Sequence, residues 1–398
     1  MPTPTAPTPS GLHTSRNPSQ SLITREIRRR ILTGQWGSGQ RIPPERQLEK
    51  EFGCSRLTVA RALVPLVADG MIERFRGRGS FVAKRGGGRA AAGLERRGRR
   101  LATTRGNVVK YISPGQVPGV QSSRDDVLAG LHEVLDAAGY HVSIDFYSDL
   151  AEHLNCLAKA DDLQIAGLVV WPSPDERTVE AVRRLVGSGV PVVLIDTYLP
   201  ELDCDYVVTD NITGAATMVH FLAELGHRQI GYVMPDERRT SLVDRVSGFL
   251  RGMVETGLPI DSTTVLRLPA RATADRDALR RHAGEALERF LAQSPRPTAL
   301  FASHDSLAIM LQGLLRERGL RVPEDLTVVG YDGIEAGEFC AVPLTTVKQD
   351  FLQAAQVAAR ILLERFSGRS AGLRFQSLVP PQLVKRQSAA PAPQALGV

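Results

Sequence analysis

No run of apolar residues in this 398-residue chain approaches the roughly 18 that a membrane-spanning helix needs. The first 17 residues are rich in Pro, Thr and Ser and contain no apolar stretch. They do not have the pattern of a secretory signal, and a disordered arm over 1–19 is expected. Cysteine is scarce as well. Cys54, Cys156, Cys204 and Cys340 stand apart with no paired spacing, which supports neither a disulfide framework nor a zinc site. Idle thiols in a reducing compartment, the cytoplasm, are the expectation. Also missing are a nucleophile elbow, a P-loop, an HExxH pair and a carboxylate pair in a convincing context. No enzymatic activity, cofactor or metal is therefore expected.

The charge that is present is unevenly placed. Residues 1–106 hold 21 Lys and Arg against 7 Asp and Glu, a net +14, while the remaining residues carry 28 against 36, a net −8. A basic head on an acidic body implies that the head meets a polyanion and the body does not, although a merely solvated basic face gives the same totals. Pattern has to separate the two.

Residues 21–33 place Leu22, Ile23, Ile27, Ile31 and Leu32 at helical spacing, and Gly34 follows as a stop. A second helix is expected from about Glu45 to Phe52, then a turn at Gly53-Cys54. Ser55 is a suitable N-cap for a third helix that turns Leu57, Val59, Ala62, Leu63 and Leu66 inward. Two β-prone pieces, Met71–Phe75 and Ser80–Ala83, flank Arg76-Gly77-Arg78-Gly79, a tight hairpin tip carrying charge. Helix, helix, turn, helix and hairpin within one short stretch make the plan of a winged helix-turn-helix. Residues 84–106 are Gly- and Arg-rich with few large apolar residues, the composition of a linker. Its arginines either touch phosphates or keep it solvated.

From Asn107 the texture changes. Apolar β-branched runs at 108–112, 141–146, 167–171, 190–195, 228–233, 298–302 and 326–330 alternate with helical stretches such as 125–139, 175–187, 212–226, 241–256, 275–293 and 305–319. That alternation predicts an α/β fold of parallel sheets covered by helices on both faces, and its length predicts two lobes. Ligands bind such folds beyond the carboxyl ends of strands.

Ordered motifs carry a resemblance in each part. Gly39-Gln40-Arg41-Ile42-Pro43-Pro44-Glu45-Arg46-Gln47-Leu48, Cys54-Ser55-Arg56-Leu57-Thr58-Val59-Ala60-Arg61-Ala62-Leu63, Asp69-Gly70-Met71-Ile72 and Gly77-Arg78-Gly79-Ser80-Phe81-Val82 resemble the GntR-family head. The resemblance implies a winged helix-turn-helix over 20–83 that contacts double-stranded operator DNA through Arg41, Glu45, Ser55, Arg56, Thr58, Arg61, Arg78 and Gly79. Arg56 and Arg61 suit the task because a guanidinium can donate two bonds to guanine. Glu45 serves equally well as a charge at a helix N-terminus. Two departures are visible: Pro44 stands where the family usually has Ser, and Pro65 lies within the third helix.

Asp210-Asn211-Ile212-Thr213-Gly214, His220 through Gly231, Val322-Pro323-Glu324-Asp325-Leu326, Val329-Gly330-Tyr331-Asp332-Gly333 and Pro343 through Asp350 are similar to the LacI/GalR effector domain. This implies a periplasmic-binding-protein-like body of two α/β lobes over 107–391, a tail at 392–398, and a small-molecule effector in the cleft, a sugar by family preference with a nucleobase or sugar phosphate as the alternatives. Arg245 matches the family's ligand-clamping arginine and Asp332 a pocket aspartate. Arg239, Asp196 and Asp305 are further effector candidates. Trp171 and Phe301 sit where an aromatic ring could stack on a sugar face, core packing being the other reading of Trp171. His304 is either a loop residue or a pocket residue, His227 and Arg228 are structural, and Lys348-Gln349-Asp350 belongs to a crossover between lobes.

The combination resembles the arabinose-repressor type of regulator and implies a homodimeric, effector-controlled transcription regulator, a repressor of carbohydrate uptake or catabolism genes. A transport binding protein would need a signal peptide and no basic head. An aminotransferase-like body, which also occurs behind GntR heads, would need different body motifs.

Overall fold

The computed structural model describes residues 23–24, 26–27, 30–31, 36–37, 39–55, 58–59, 62–63, 66, 71–75, 79–82, 106–115, 121–160, 165–269, 276–368 and 372–393. They fall into two compact units, Met1–Glu95 and Arg96–Val398. Among the described residues no helix is long and apolar enough to cross a membrane.

In the first unit, helical residues Ile23 and Ile27 lie one turn apart and are buried with Trp36, Ile42, Leu48, Val59, Leu63, Leu66, Ile72 and Val82. Helix α1 (Glu45–Phe52) buries Leu48 and ends on Gly53 in the left-handed region, φ 63°. Strands β1 (Ile72–Phe75) and β2 (Gly79–Val82) pair antiparallel as the expected hairpin. Pro65, the hairpin tip at 76–78 and nearly all of the linker lie outside the described residues.

The second unit holds two six-stranded sheets. The first lobe runs β3 (Val108–Pro114), α2 (Gln121–Leu135), β4 (His141–Tyr147), α3 (Leu150–Ala158), β5 (Ile165–Val170), α4 (Glu176–Gly187), β6 (Val192–Ile195) and β7 (Asp205–Thr209). The chain then enters the second lobe: α5 (Asn211–Glu224), β8 (Ile230–Pro235), α6 (Thr240–Glu255), β9 (Val265–Leu268), α7 (Arg276–Leu291), β10 (Ala299–Ala302), α8 (Asp305–Glu317), β11 (Thr327–Asp332), α9 (Ala336–Phe339) and β12 (Thr345–Lys348). It returns for α10 (Phe351–Phe366) and β13 (Gln376–Val379), and crosses back for β14 (Gln382–Val384). Strand orders are β13-β7-β6-β5-β3-β4 and β14-β12-β11-β10-β8-β9, parallel except for the antiparallel pair β12–β14.

The lobes repeat one plan. In each sheet the first strand lies between the second and third, so a switch point opens beside β3 and beside β8, where ligands find the carboxyl ends of strands. Each sheet is apolar on both faces. In the first lobe α2 and α10 cover one side and α3 and α4 the other; in the second, α5 and α6 cover one side and α7 and α8 the other. The chain passes between lobes at 209–211, 348–351 and 379–382, the second being the Lys348-Gln349-Asp350 segment.

Candidate functional site

The head offers a short polar surface. Arg41 is exposed, and its backbone bridges antiparallel to Phe81. Around it Gly39 N donates to Val82 O (2.9 Å), Val82 N to Gln40 O (2.8 Å) and Ile42 N to Ser80 O (2.9 Å). The segment before α1 thus adds a third short strand to the hairpin and carries Arg41 on it. Pro44 precedes α1 with no side-chain cap bond, and Glu45 stands in the first turn, where a negative charge is favourable. Ser55 does cap: its Oγ accepts from Thr58 N (3.2 Å) and lies 2.8 Å from Thr58 Oγ1. Such a cap contributes about 1 kcal/mol to the helix that follows. Arg56, Arg61 and Arg78 lie outside the described residues, and for Gly79 only its place in β2 is described.

In the body, α6 carries Arg245 into the space between the lobes. The side chain is buried, and each nitrogen of the guanidinium has a partner. Nε donates to Asn211 Oδ1 (2.9 Å), Nη1 to Ser303 O (2.7 Å), and Nη2 lies 2.9 Å from Asp332 Oδ1. The Tyr331 ring lies 3.9 Å beneath it. Asp332 ends β11, and Asp196 follows β6, the strand at the matching position in the other sheet. Both adopt left-handed backbone, φ 117° and 67°. A residue with a β-carbon held there costs of order 1–3 kcal/mol, and such strain persists where function or surrounding structure demands it. It recurs here at equivalent points of the two lobes, each presenting a carboxylate.

Asp196 is buried and accepts from Thr197 Oγ1 (3.0 Å). Burial raises its pKa, while Arg245 and Arg239 pull it back down. Asp332 is raised chiefly by burial, opposed by Arg245 and reinforced by Asp196. Arg245 thus acts on both aspartates, and Asp196 and Asp332 feel each other's charge across the lobes. Arg239 stands immediately before α6, with Nη2 3.3 Å from Glu237. Trp171 follows β5; its ring stacks on Phe351 with centroids 5.4 Å apart, and its carbonyl accepts from Tyr147 Oη (2.8 Å). The packing on Phe351 realises the core reading of Trp171. His304 caps α8, its Nδ1 accepting from Leu307 N (3.1 Å). Burial pushes the imidazole down to about 3, helped by Arg245 and Arg239, so the ring is neutral beside the cluster.

Two expected effector residues are corrected. Phe301 is fully buried within the second lobe, packed edge-on to Tyr232 and Phe249, because a strand interior in a sheet covered on both faces has no exposed side. Asp305 is also fully buried. Its Oδ2 accepts from Gly333 N (2.7 Å) and Ile334 N (2.9 Å), and its Oδ1 from Thr346 Oγ1 (2.6 Å). Asp305 therefore anchors the turn after Asp332 and has no face left for an effector. His227 is structural as expected: Nδ1 lies 2.8 Å from Thr298 Oγ1 and Nε2 3.0 Å from Ala390 O.

Other polar residues at this site had no effector assignment from sequence. Asn211 and Gln349 lay inside recognisable motifs, but their bonds to Arg245 and Asp332 depend on tertiary approach. Tyr198, Thr240 and Ser241 gave no signal at all. Thr240 Oγ1 accepts from Tyr198 N and donates to Tyr198 O, both 3.0 Å, Tyr198 Oη donates to Asp244 (3.3 Å), and Thr197 Oγ1 lies 3.3 Å from Ser241 Oγ. These bonds latch the turn after Asp196 onto the start of α6 in the other lobe. Thr240→Val should orphan the Tyr198 amide, an effect on the order of 1–3 kcal/mol. Hydrogen exchange of that amide should accelerate about tenfold; an unchanged rate in a folded variant would mean the latch holds nothing.

Among the described residues no group of three or more His, Cys, Asp or Glu is arranged to hold a metal ion. A cavity of about 310 Å³ opens elsewhere in the first lobe, around Gly106, Pro191, Arg365 and Arg374. Its cations are already paired, Arg365 with Asp205 (2.6 Å) and Arg374 with Asp203 (3.1 Å), and the strained aspartates lie in the cleft, not there.

Comparison with known proteins agrees with this architecture. Residues 20–82 match the bacterial regulatory proteins of the gntR family, and residues 219–389 match the periplasmic binding protein-like domain. The arabinose metabolism transcriptional repressor of Halalkalibacterium halodurans is 28% identical over 388 residues, 95% of this chain and 98% of that protein. The HTH-type transcriptional repressor PurR of Haemophilus influenzae is 34% identical over 239 residues, 59% of this chain and 67% of that protein. A LacI family transcriptional regulator from Enterococcus faecium, solved with bound ribose, has TM-score 0.58 and 22% identity, covering 72% of this chain and all of that one. The chain belongs to the bacterial transcriptional repressors that join a gntR-family DNA-binding head to a LacI/GalR-type, periplasmic-binding-protein-like body.

Proposed function

We propose that this repressor releases or grips its operator according to a small polyhydroxylated effector, a sugar, bound between the lobes of the body. The observation that carries the reading is the cross-lobe cluster of Arg245 and Asp332 with Asp196, on strained backbone at equivalent strand ends. A carboxylate accepts from a hydroxyl and a guanidinium donates to one, so vicinal hydroxyls fit a site that offers both. Arg239 and Trp171 complete the effector set. The ribose held by the E. faecium regulator and the arabinose metabolism named for the H. halodurans repressor favour the same ligand class.

The head, 20–83, reads DNA through Arg41, Glu45, Ser55, Arg56, Thr58, Arg61, Arg78 and Gly79, and the linker spans 84–106. Phosphate contacts supply salt-dependent affinity and the helix opened by Ser55 supplies sequence. Two copies acting as a homodimer on a pseudo-palindromic operator, in the cytoplasm and without enzymatic activity, complete the reading. The effector acts only through its unequal affinity for two arrangements of the lobes.

The test is anisotropy of the purified protein on its own upstream DNA at moderate salt, with a panel of pentoses, hexoses and purine bases. Specific binding that one sugar weakens is expected. Release by a purine alone would replace the sugar, and binding that no compound alters would remove effector control from the reading.

A further inference from the structure

Five residues close a ring of hydrogen bonds between the Arg245–Asp332 pair and the lobe crossovers. Thr209 Oγ1 donates to Gln349 Oε1 (2.6 Å), and Gln349 Nε2 donates to Asp332 Oδ1 (2.9 Å). The same Oδ1 faces Arg245 Nη2 (2.9 Å), and Arg245 Nε donates to Asn211 Oδ1 (2.9 Å). Asn211 Nδ2 returns to Thr209 O (3.1 Å). Four members are buried, while the Asp332 side chain keeps 23% exposure, the one through which the ring meets an effector.

The ring joins the places where the chain changes lobe. Thr209 and Asn211 flank the first crossover and Gln349 lies in the second. Asp210 N donates to Val379 O (2.9 Å), which brings in the third. Gln349 is pinned twice, since its backbone N also donates to Asp332 O (3.1 Å). Its amide has one sensible orientation here: the carboxylate needs the NH₂ group, which leaves the carbonyl oxygen for the Thr209 hydroxyl.

We infer that Gln349 is the positioning residue through which effector contact at Asp332 is felt at the crossovers. The inference rests on the proposed reading of the cleft as the effector site. Asp332 Oδ1 already accepts from both Arg245 and Gln349, so an effector hydroxyl that donates to this oxygen displaces the Gln349 amide, the neutral one of its two donors. A buried amide that loses its acceptor must find another, and turning it breaks the Thr209 bond at the neighbouring crossover. The ring therefore has two discrete arrangements, which coupling between sites requires.

Full-length Gln349→Met and Thr209→Val are tested with L-arabinose, D-ribose and cellobiose as probes, measuring sugar affinity by calorimetry and operator release by anisotropy. Each variant should bind the active sugar within about threefold of the parent yet need at least about tenfold more for half-release. Binding and release that shift by the same factor, or no shift at all, would overturn the assignment. Hydrogen exchange reads the ring without ligand. Asp332→Asn should speed exchange at 209–211 about tenfold in the parent and not further in Gln349→Met. Equal acceleration in both backgrounds would show that Gln349 carries nothing, whatever the effector proves to be.

Discussion

Replacing Arg245 with methionine is expected to lower the stability of the body by about 3–5 kcal/mol near neutral pH, with loss of effector response. Methionine fills a similar volume, so the loss measures charge and hydrogen bonding more than a cavity. Without the guanidinium, Asn211 Oδ1 and Ser303 O lose their donors, and Asp332 and Asp196 are left with no cation of equal burial between them. Burial already lifts both carboxyls, and Arg245 is the leading group that pulls each back down. In the variant both should hold their protons to higher pH than the unfolded chain does. The native state then binds more protons than the unfolded state from about pH 4 up to the raised value, so stability falls as pH rises through that window. The deficit should therefore be larger at about pH 8 than at about pH 5. Denaturant unfolding at both pH values measures it. A deficit that is pH-independent would contradict the charge argument, and adding Asp332→Asn to Arg245→Met should recover part of the loss.

What could be read from sequence followed the strength of local signals. In the head, the Ser55 cap, the stop at Gly53 and the glycines around the hairpin are short-range features, and α1 and β1–β2 lie within a residue of where they predicted them. In the body the β-branched runs marked β3, β4, β5, β6, β8, β10 and β11. Helix α10 was not singled out, and its buried stripe explains why: Ala354, Ala355, Ala358 and Ala359 give a weak apolar signal. Those small side chains allow α10 to lie against α2 at Gly130, where a β-carbon would overlap the Leu352 carbonyl.

The site divides the same way. Asp196 and Asp332 follow apolar runs, and a charge at a strand's carboxyl end in an α/β fold points to a ligand. Phe301 lies one residue inside the end of β10 and packs with Tyr232 and Phe249. Leu300 and Ala302 turn to the opposite core, so neither face of β10 meets solvent. Asp305 sits at a helix start, as binding residues often do, but its three donors come from Gly333, Ile334 and Thr346. Sequence shows that a carboxylate is present; only the fold shows that it is fully buried with three donors already on it.

Gly248→Ala should do what the usual glycine-to-alanine exchange in a helix does not. In an open helix interior the change gains up to about 1 kcal/mol of propensity. On α8, Gly313 is such a site, with no atom within 4 Å of an added β-carbon, and Gly313→Ala should stabilise. On α6 the added carbon would overlap the Ile212 carbonyl oxygen and lie 2.8 Å from Ile212 Cα. The obstacle is backbone, so no rotamer change relieves it, and α5 and α6 must move apart. Overpacking of this kind costs typically about 1–3 kcal/mol and outweighs the propensity gain. The displacement also falls on the site. Arg245 lies one turn before Gly248, and Asn211, its Nε acceptor, precedes Ile212. A shift of about 1 Å between the helices therefore opens the Arg245–Asn211 bond and moves the guanidinium from Asp332. Unfolding midpoints of the two variants should move in opposite directions, and Gly248→Ala should also lose at least about tenfold in effector affinity. If Gly248→Ala matched Gly313→Ala in midpoint, the close approach of α5 and α6 would not be what holds Arg245 in place.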